Sequence, residues 1–188
     1  MVTDEAELPQ MPGLPLNIDP VERAMLAMSY GVHVIGSFDG ENDHNAMIAD
    51  WVMQVSFKPR LVAVSIENDA RTLRYVRKTN HFSVNMLHQK DGAAIAKRVV
   101  MPAEGRKIRG RSEEEAAKIH HKLVGLRHEF DANNCPILLD ALGWYSCDVE
   151  QFVETGDHTI VVGRVTDGAV LREGDMLIER ELGWEYAG

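Results

Sequence analysis

Asn45-Ala46-Met47-Ile48-Ala49-Asp50-Trp51-Val52-Met53-Gln54-Val55-Ser56 decides how this chain is read, and it runs straight into Phe57-Lys58-Pro59-Arg60-Leu61-Val62-Ala63-Val64. Small and β-branched residues, one Trp and a Pro-marked turn predict a strand–turn–strand over 44–56 and 60–67. The polar residues break the usual pattern. A strand buried on one face alternates apolar and polar with period two, whereas Asn45, Asp50, Gln54 and Ser56 are threaded through an apolar run. Such a run is bent, or offers backbone and polar groups to a ligand.

Upstream, 32–38 reads as a strand and Asp39-Gly40-Glu41-Asn42-Asp43 as a hairpin loop with turn residues throughout. Before it, Asp19 can cap a helix, Pro20 suits the first helical position, Glu22 has capping-box spacing and Gly31 can end the helix. Val21, Ala24, Met25 and Met28 recur at helical spacing and are expected to face the core. Residues 1–18, acidic and Pro-marked, read as an arm preceding one domain over 19–188.

Downstream, Asn68-Asp69 should cap a helix carrying Leu73, Tyr75 and Val76 and ending near Asn80. A strand over 81–87 and a short helix from Asp91 follow. A helical excursion then occupies about 90–128: a basic, Gly-interrupted loop with Arg98, Arg106, Lys107, Arg109 and Arg111, then a helix from Ser112 to about Leu123. Strands return at 141–154, 158–171 and 176–186. Antiparallel strands with few helices and no βαβ alternation predict a mainly β fold with peripheral helices, a small closed barrel.

At 188 residues, 45% hydrophobic and 26% charged, the chain is sized for one globular domain with a real core. Its net charge of −9 argues against nucleic acid or an anionic membrane surface as the main partner. A phosphate-bearing ligand must therefore be held by a local cationic or amide-rich pocket. The N-terminal residues do not read as a signal peptide, and no stretch approaches the ~18 apolar residues of a membrane span. Cys135 and Cys147 are too far apart for a Cys-x-x-Cys motif, so the expectation is a reducing cytoplasm with free thiols.

The motifs resemble the flavin reductase-like family, whose members carry FMN on a split β-barrel. The match runs through Asn45-x-Met47-x-Ala49-x-Trp51-Val52, then Gln54-Val55-Ser56-Phe57-x-Pro59. It continues through Arg71-Thr72, His81-Phe82-Ser83-Val84-Asn85, Gly156-Asp157-His158-Thr159 and a closing Gly183-Trp184-x-Tyr186, in order from about residue 20. Two departures stand out: Ile48 replaces a usual Thr, and Asp50 replaces a small polar residue. Lys58 and Arg60 also flank Pro59 where Asp and Pro are usual.

The resemblance implies an FMN-dependent oxidoreductase that takes a hydride from NADH or NADPH and passes electrons to flavin, oxygen or a redox partner protein. It also implies a homodimer. The ring would meet the backbone around Met47, Ile48 and Ala49, with Asp50 and Trp51 at its edge. Gln54, Val55 and Ser56 would reach the ribityl chain and phosphate, with Asn68, Arg71 and Thr72 holding the phosphate at a helix start. Asn45 and Glu67 complete the implied set. His158 is the candidate catalytic or substrate-orienting imidazole; alternatively, Gly156-Asp157 makes a turn and His158 only begins a strand. His120 and His121 are adjacent and so point in different directions on a helix, His128 is seven or eight residues on and too far for simple chelation, and no metal site is expected. Two other readings stay open: an electron-transfer flavoprotein lacking a nicotinamide site, and a split-barrel binder of another cofactor such as haem.

Overall fold

The computed structural model describes residues 19–25, 27–100 and 121–182. The arm 1–18, most of the basic loop, the Ser112 helix start, His120 and the Gly183-Trp184-x-Tyr186 motif lie outside them. So does the side chain of Glu22, and with it the capping-box expectation.

The described chain forms α1 (Pro20–Met25), β1 (His33–Phe38), β2 (His44–Ala49), β3 (Val52–Ser56), β4 (Leu61–Glu67), α2 (Arg71–Thr79), β5 (His81–Met86), α3 (Gly92–Val99), β6 (His128–Phe130), β7 (Pro136–Leu138), β8 (Gly143–Glu154), β9 (His158–Val170) and α4 (Glu179–Leu182). Seven strands form one sheet in the order β2-β1-β5-β8-β9-β4-β3, with every pairing antiparallel. The outermost strands, β2 and β3, are consecutive in sequence and separated only by Asp50 and Trp51. Two residues cannot span an open seven-stranded sheet, so the sheet curls until its edges meet there. This is the mainly β split barrel with peripheral helices that the sequence predicts.

The predicted single strand over 44–56 is corrected to two strands on opposite edges. Its polar interruption marks the break: Asp50 Oδ1 accepts from the Trp51 amide at 2.9 Å, and the Asp50 carbonyl from the Val52 amide at 2.8 Å. Farther on, a bulge leaves Val55 between the Gln54–Val62 and Ser56–Leu61 pairs.

Two cores flank the sheet. Ile35, Ala49, Val62, Val64, Ile66, Phe82, Val84, Cys147 and Val161 fill one side, with Leu73 and Val76 of α2 plugging it. Val32, Val34, Ala46, Leu87, Leu138 and Leu177 pack with Ile95, Ala96 and Val99 of α3 on the other. β1 lies between them, which is why it reads as a continuous apolar run. Gly163 lets Phe82 cross the interior: a Cβ there would come within 2.5 Å of the Phe82 ring.

Other corrections have physical reasons. α1 ends at Met25, well short of Gly31; its Asp19 cap is real, accepting the Val21 amide at 2.8 Å. Val21, Met25 and Met28 are exposed in the single chain rather than facing its core, because helical spacing identifies an apolar face but not what covers it. α2 has Ala70 at its N-cap with no side-chain bond, since Asn68 is committed elsewhere. Arg98 belongs to α3, and Leu123 lies in a turn rather than a helix.

The short β6–β7 hairpin was not legible. Buried Asn85 fixes it: its Oδ1 accepts from the Leu138 amide at 2.7 Å, and its Nδ2 donates to the Pro136 and Val34 carbonyls at 3.2 and 3.1 Å. Where a final strand over 176–186 is predicted, the described part, 176–182, has isolated bridges, Gly31 with Ile178 and His88 with Met176, and then α4; 183–186 lie outside the described residues. Cys135 and Cys147 are free and buried; burial raises both thiols far above the ordinary range, which leaves them unreactive. No described helix is long and apolar enough to cross a membrane.

Candidate functional site

The break at Asp50-Trp51 brings the end of β2 to the end of β4 and the start of β9. Ser65 donates its amide to the Trp51 carbonyl at 3.0 Å, and Glu67 stands opposite His158 in register. The Trp51 ring therefore lies between Tyr30 (centroids 6.5 Å apart) and His158 (5.1 Å). His158 begins β9, as the simpler reading predicts, but its ring is also pinned. Its Nδ1 sits 2.7 Å from Asp157 Oδ1 while the ring is buried. With Nδ1 donating to Asp157, Nε2 is the nitrogen left to face a ligand.

Two carboxyls flank that histidine, and their surroundings pull in opposite directions. The hydrogen bond from His158 holds Asp157 below the usual carboxylate range. Burial pushes Asp50 upward, against the bond from Trp51 and the attraction of His158. Asp50 also raises the Tyr30 phenol, whose larger cause is desolvation.

Asn68 joins this cluster to α2. Its amide donates to the Asp157 carbonyl at 2.9 Å, its Nδ2 to the Gly156 carbonyl at 3.2 Å, and its Oδ1 accepts from Thr159 at 2.7 Å. One turn on, Asn45 Nδ2 donates to Thr72 Oγ1 at 2.8 Å, both residues buried, so β2 is bolted to the helix start. Asn45 and Thr72 thus satisfy each other, and their side chains shape the site rather than reach into it. Arg71 is half-buried 3.3 Å from Asp43, which also accepts from the Tyr75 hydroxyl.

Of the predicted residues, Asp50, Trp51, Glu67, Asn68 and His158 adjoin past the end of β2, and Asn45, Arg71 and Thr72 gather at its start. Met47 and Ala49 pack toward the inner core, and Ile48 against the outer one. β2 pairs only with β1, so alternate backbone groups along its outer edge have no ladder partner among the described residues. A planar ring with hydrogen-bonding edges fits such an edge. Gln54, Val55 and Ser56 go elsewhere. They adjoin Leu61 at the start of β4, whereas 68–72 follow its end, and seven strand residues separate the two by about 20 Å. Gln54 bonds its own strand, at Ser56 O, and Val55 is exposed.

Two residues were missed. His33 lies opposite Ala49 in register, buried, with Nδ1 lacking a hydrogen-bond partner. Burial lowers it to about 4, although the Ala49 and Gly31 carbonyls beside the ring favour its charged form. Lys122, on a turn within the excursion, is pushed down to about 8 by burial and then by Arg71. A His within an apolar run and a Lys within a basic one carry no local signal of such placement. His128 stacks edge-on against Phe130 at 5.4 Å, and among the described residues no three ligating side chains converge.

Comparison with known proteins agrees with the fold. A diflavin flavoprotein A 1 from Synechocystis sp. is 28% identical over 155 residues, 81% of this chain; the chain spans about a quarter (24%) of that protein's length. The solved flavin reductase PheA2 is 28% identical with a TM-score of 0.66, covering 86% of this chain and 93% of its own. The flavin reductase HpaC, solved with NADP+, shares the fold at 17% identity and a TM-score of 0.66, covering 82% and 87%. The sequence model of the flavin reductase like domain matches residues 25–181. The chain belongs to the flavin reductase-like domain family, whose chemistry is flavin-linked oxidoreduction.

Proposed function

We propose that this chain binds FMN at the closed end of the seam and transfers a hydride to it from NADH or NADPH. The observation that carries this reading is one continuous strip: the open backbone edge of β2, the Trp51–His158 pair, Asn68 and then Arg71. Ser65, opposite Trp51, is three strand residues before Asn68, about 10 Å. That is comparable to a ribityl tail, so a ring at Trp51 would put its phosphate at Arg71 and the first amides of α2. Bound flavin supplies the hydride-accepting chemistry. The protein's own work is to hold and orient. Trp51 and the β2 edge fix the plane, Arg71 answers the phosphate charge, and His158, locked by Asp157, presents Nε2 as a donor or acceptor beside the ring. A carboxylate at Asp50 would oppose negative charge on a reduced ring.

A nicotinamide partner is supported by the HpaC structure with NADP+, a fold relative. A homodimer would cover the exposed Met53, Val55 and Phe57 of the far end and bring residues 54–56 of one copy toward the other's cleft. Electrons would leave to free flavin, oxygen or a redox partner protein, in the cytoplasm.

One spectrum tests the core of this. The purified protein should be yellow, or become so with FMN, and NADH or NADPH should bleach it anaerobically. A colourless protein whose melting temperature ignores added FMN would end the flavin reading. Bleaching only by a reduced partner protein would favour the electron-transfer alternative. Sedimentation at micromolar concentration should give twice the chain mass.

A further inference from the structure

The β8–β9 hairpin carries His158 at its tip, and a residue of α2 holds that tip from behind. Thr155 closes the turn, giving both its amide and its hydroxyl to the His158 carbonyl at 3.0 and 2.7 Å. The last rung before the turn pairs Glu154 with Thr159. Arg77, in the last turn of α2, reaches both of them. Its Nη2 lies 3.3 Å from Thr159 Oγ1 and 3.4 Å from Glu154 Oε1, and its Cζ sits 4.8 Å from the centre of the Phe152 ring.

These three contacts differ in worth. The Glu154 pair is exposed and therefore weak. The Thr159 contact is anchored in the interior, because Thr159 is fully buried and its hydroxyl, while accepting from Arg77, donates to Asn68 Oδ1 at 2.7 Å. A hydroxyl has one proton to give, so this pair of bonds sets its direction. Asn68 in turn holds the Gly156 and Asp157 carbonyls. Thr159 pairs with Ile66, a member of the inner core that α2 plugs. Successive strand side chains take opposite faces, so Thr159 turns to α2 while His158 turns to Trp51.

We propose that Arg77 is a positioning residue for His158. It grips one face of the hairpin's last rung, and so fixes the height and the Asp157-bonded tautomer of the imidazole presented on the other. This rests on the reading of His158 as the ligand-facing group of a flavin site, and adds to it the helix residue that keeps the group in place.

The test is a double-mutant cycle between Arg77→Met and His158→Gln; methionine keeps an apolar stem over Phe152. Arg77→Met should slow anaerobic reduction of bound FMN by saturating NADH or NADPH about tenfold, within the range that an ångström-scale misplacement costs, and change the Kd for FMN less than about threefold. In the His158→Gln background the same substitution should change the rate less than about twofold, because the two residues act through one group. Nitrogen-15 NMR of the flavin-free protein gives a second readout, with the His158 ring assigned by its loss in His158→Gln. Its signals should report a proton on Nδ1 in the wild type and move toward the Nε2-protonated form in Arg77→Met. Equal slowing in both backgrounds, or ring signals that Arg77→Met leaves in place, would overturn the positioning role and leave the flavin reading standing. A wild type that neither nicotinamide bleaches would instead sink the hydride reading, and the ring signals would still decide whether Arg77 sets the imidazole.

Discussion

The two ends of β4 behave differently. At its C-terminal end, Glu67, Asn68 and the start of α2 are tied to Gly156, Asp157, Thr159 and Asn45 by short bonds between groups distant in sequence. At its N-terminal end, Met53, Val55 and Phe57 are exposed, Phe57 at 82%, and the Gln54 side chain bonds within its own strand, at Ser56 O. One end is preorganised within a single chain, as a binding site must be for its geometry to be worth anything. The other is an apolar edge, the kind of surface a neighbouring chain covers. Two parts of one sequence motif, 45–51 and 54–56, therefore serve different ends.

If the first end is the built one, acid should attack it most. His33 lies under it, opposite Ala49, with a folded pKa of about 4 against 6.5 unfolded. Between those values the unfolded chain binds more protons, so stability is full above about pH 6.5 and lost as pH falls toward 4. The loss can reach ~3 kcal/mol. Urea midpoints for His33→Gln should be nearly flat over that window; a parallel decline in both proteins would show that another group is responsible.

The next largest difference is in ligand binding. Arg71→Ala should weaken FMN by about 2–3 kcal/mol, the worth of a charge-assisted bond, and riboflavin hardly at all. Ser56→Ala should cost less than about 0.5 kcal/mol in any monomeric form of the protein. If the two were reversed, the phosphate would lie at the exposed end and the comparison would have to be inverted.

Much of this was legible because it is local. β1, the 39–43 loop, β4, α2, β5 and β9 follow from alternation, turn residues and an apolar helix face. In the loop, Asp39 Oδ1 accepts from the amides of Glu41, Asn42 and Asp43 at 2.8–3.0 Å, the interaction that the composition predicts. The seam was visible only as a broken pattern, since Asp50 announces a bend but not that the flanking strands lie on opposite edges. β6 and β7 are three residues each, and what holds them is Asn85, some fifty residues away. The Asn68 cap failed for a related reason: an Asn can cap a helix or bind a distant loop, and the sequence does not say where Gly156 and Thr159 will be. Lys122 failed because burial of one lysine in a basic run is wholly tertiary.

Asn68 offers a smaller effect at the boundary between the ends. Its Nδ2–Gly156 and Thr159–Oδ1 bonds join β4 to the β8–β9 turn, and it is exposed enough for water to replace part of each. Asn68→Ala should destabilise by about 1–2 kcal/mol and lower FMN affinity by loosening His158, whereas Gln54→Ala should change stability by less than about 0.5 kcal/mol. Chemical denaturation reads the first effect and a flavin titration the second.

The last expected change has the opposite sign, and so sharpens the contrast best. Lys122 holds a charge that burial penalises: its folded value is about 8 against an ordinary 10.5. Below pH 8 the penalty is present in full, and it fades as pH rises from 8 toward 10.5, where the folded chain has released a proton that the unfolded chain keeps. Lys122→Met should therefore stabilise the flavin-free protein at pH 7 by about 1–2 kcal/mol, allowing for the solvent that reaches the end of a lysine side chain. That gain should shrink at pH 10. A lysine whose ammonium held the turn in place would instead give a loss on substitution at both pH values, so the two urea midpoints decide between a penalised charge and a structural one.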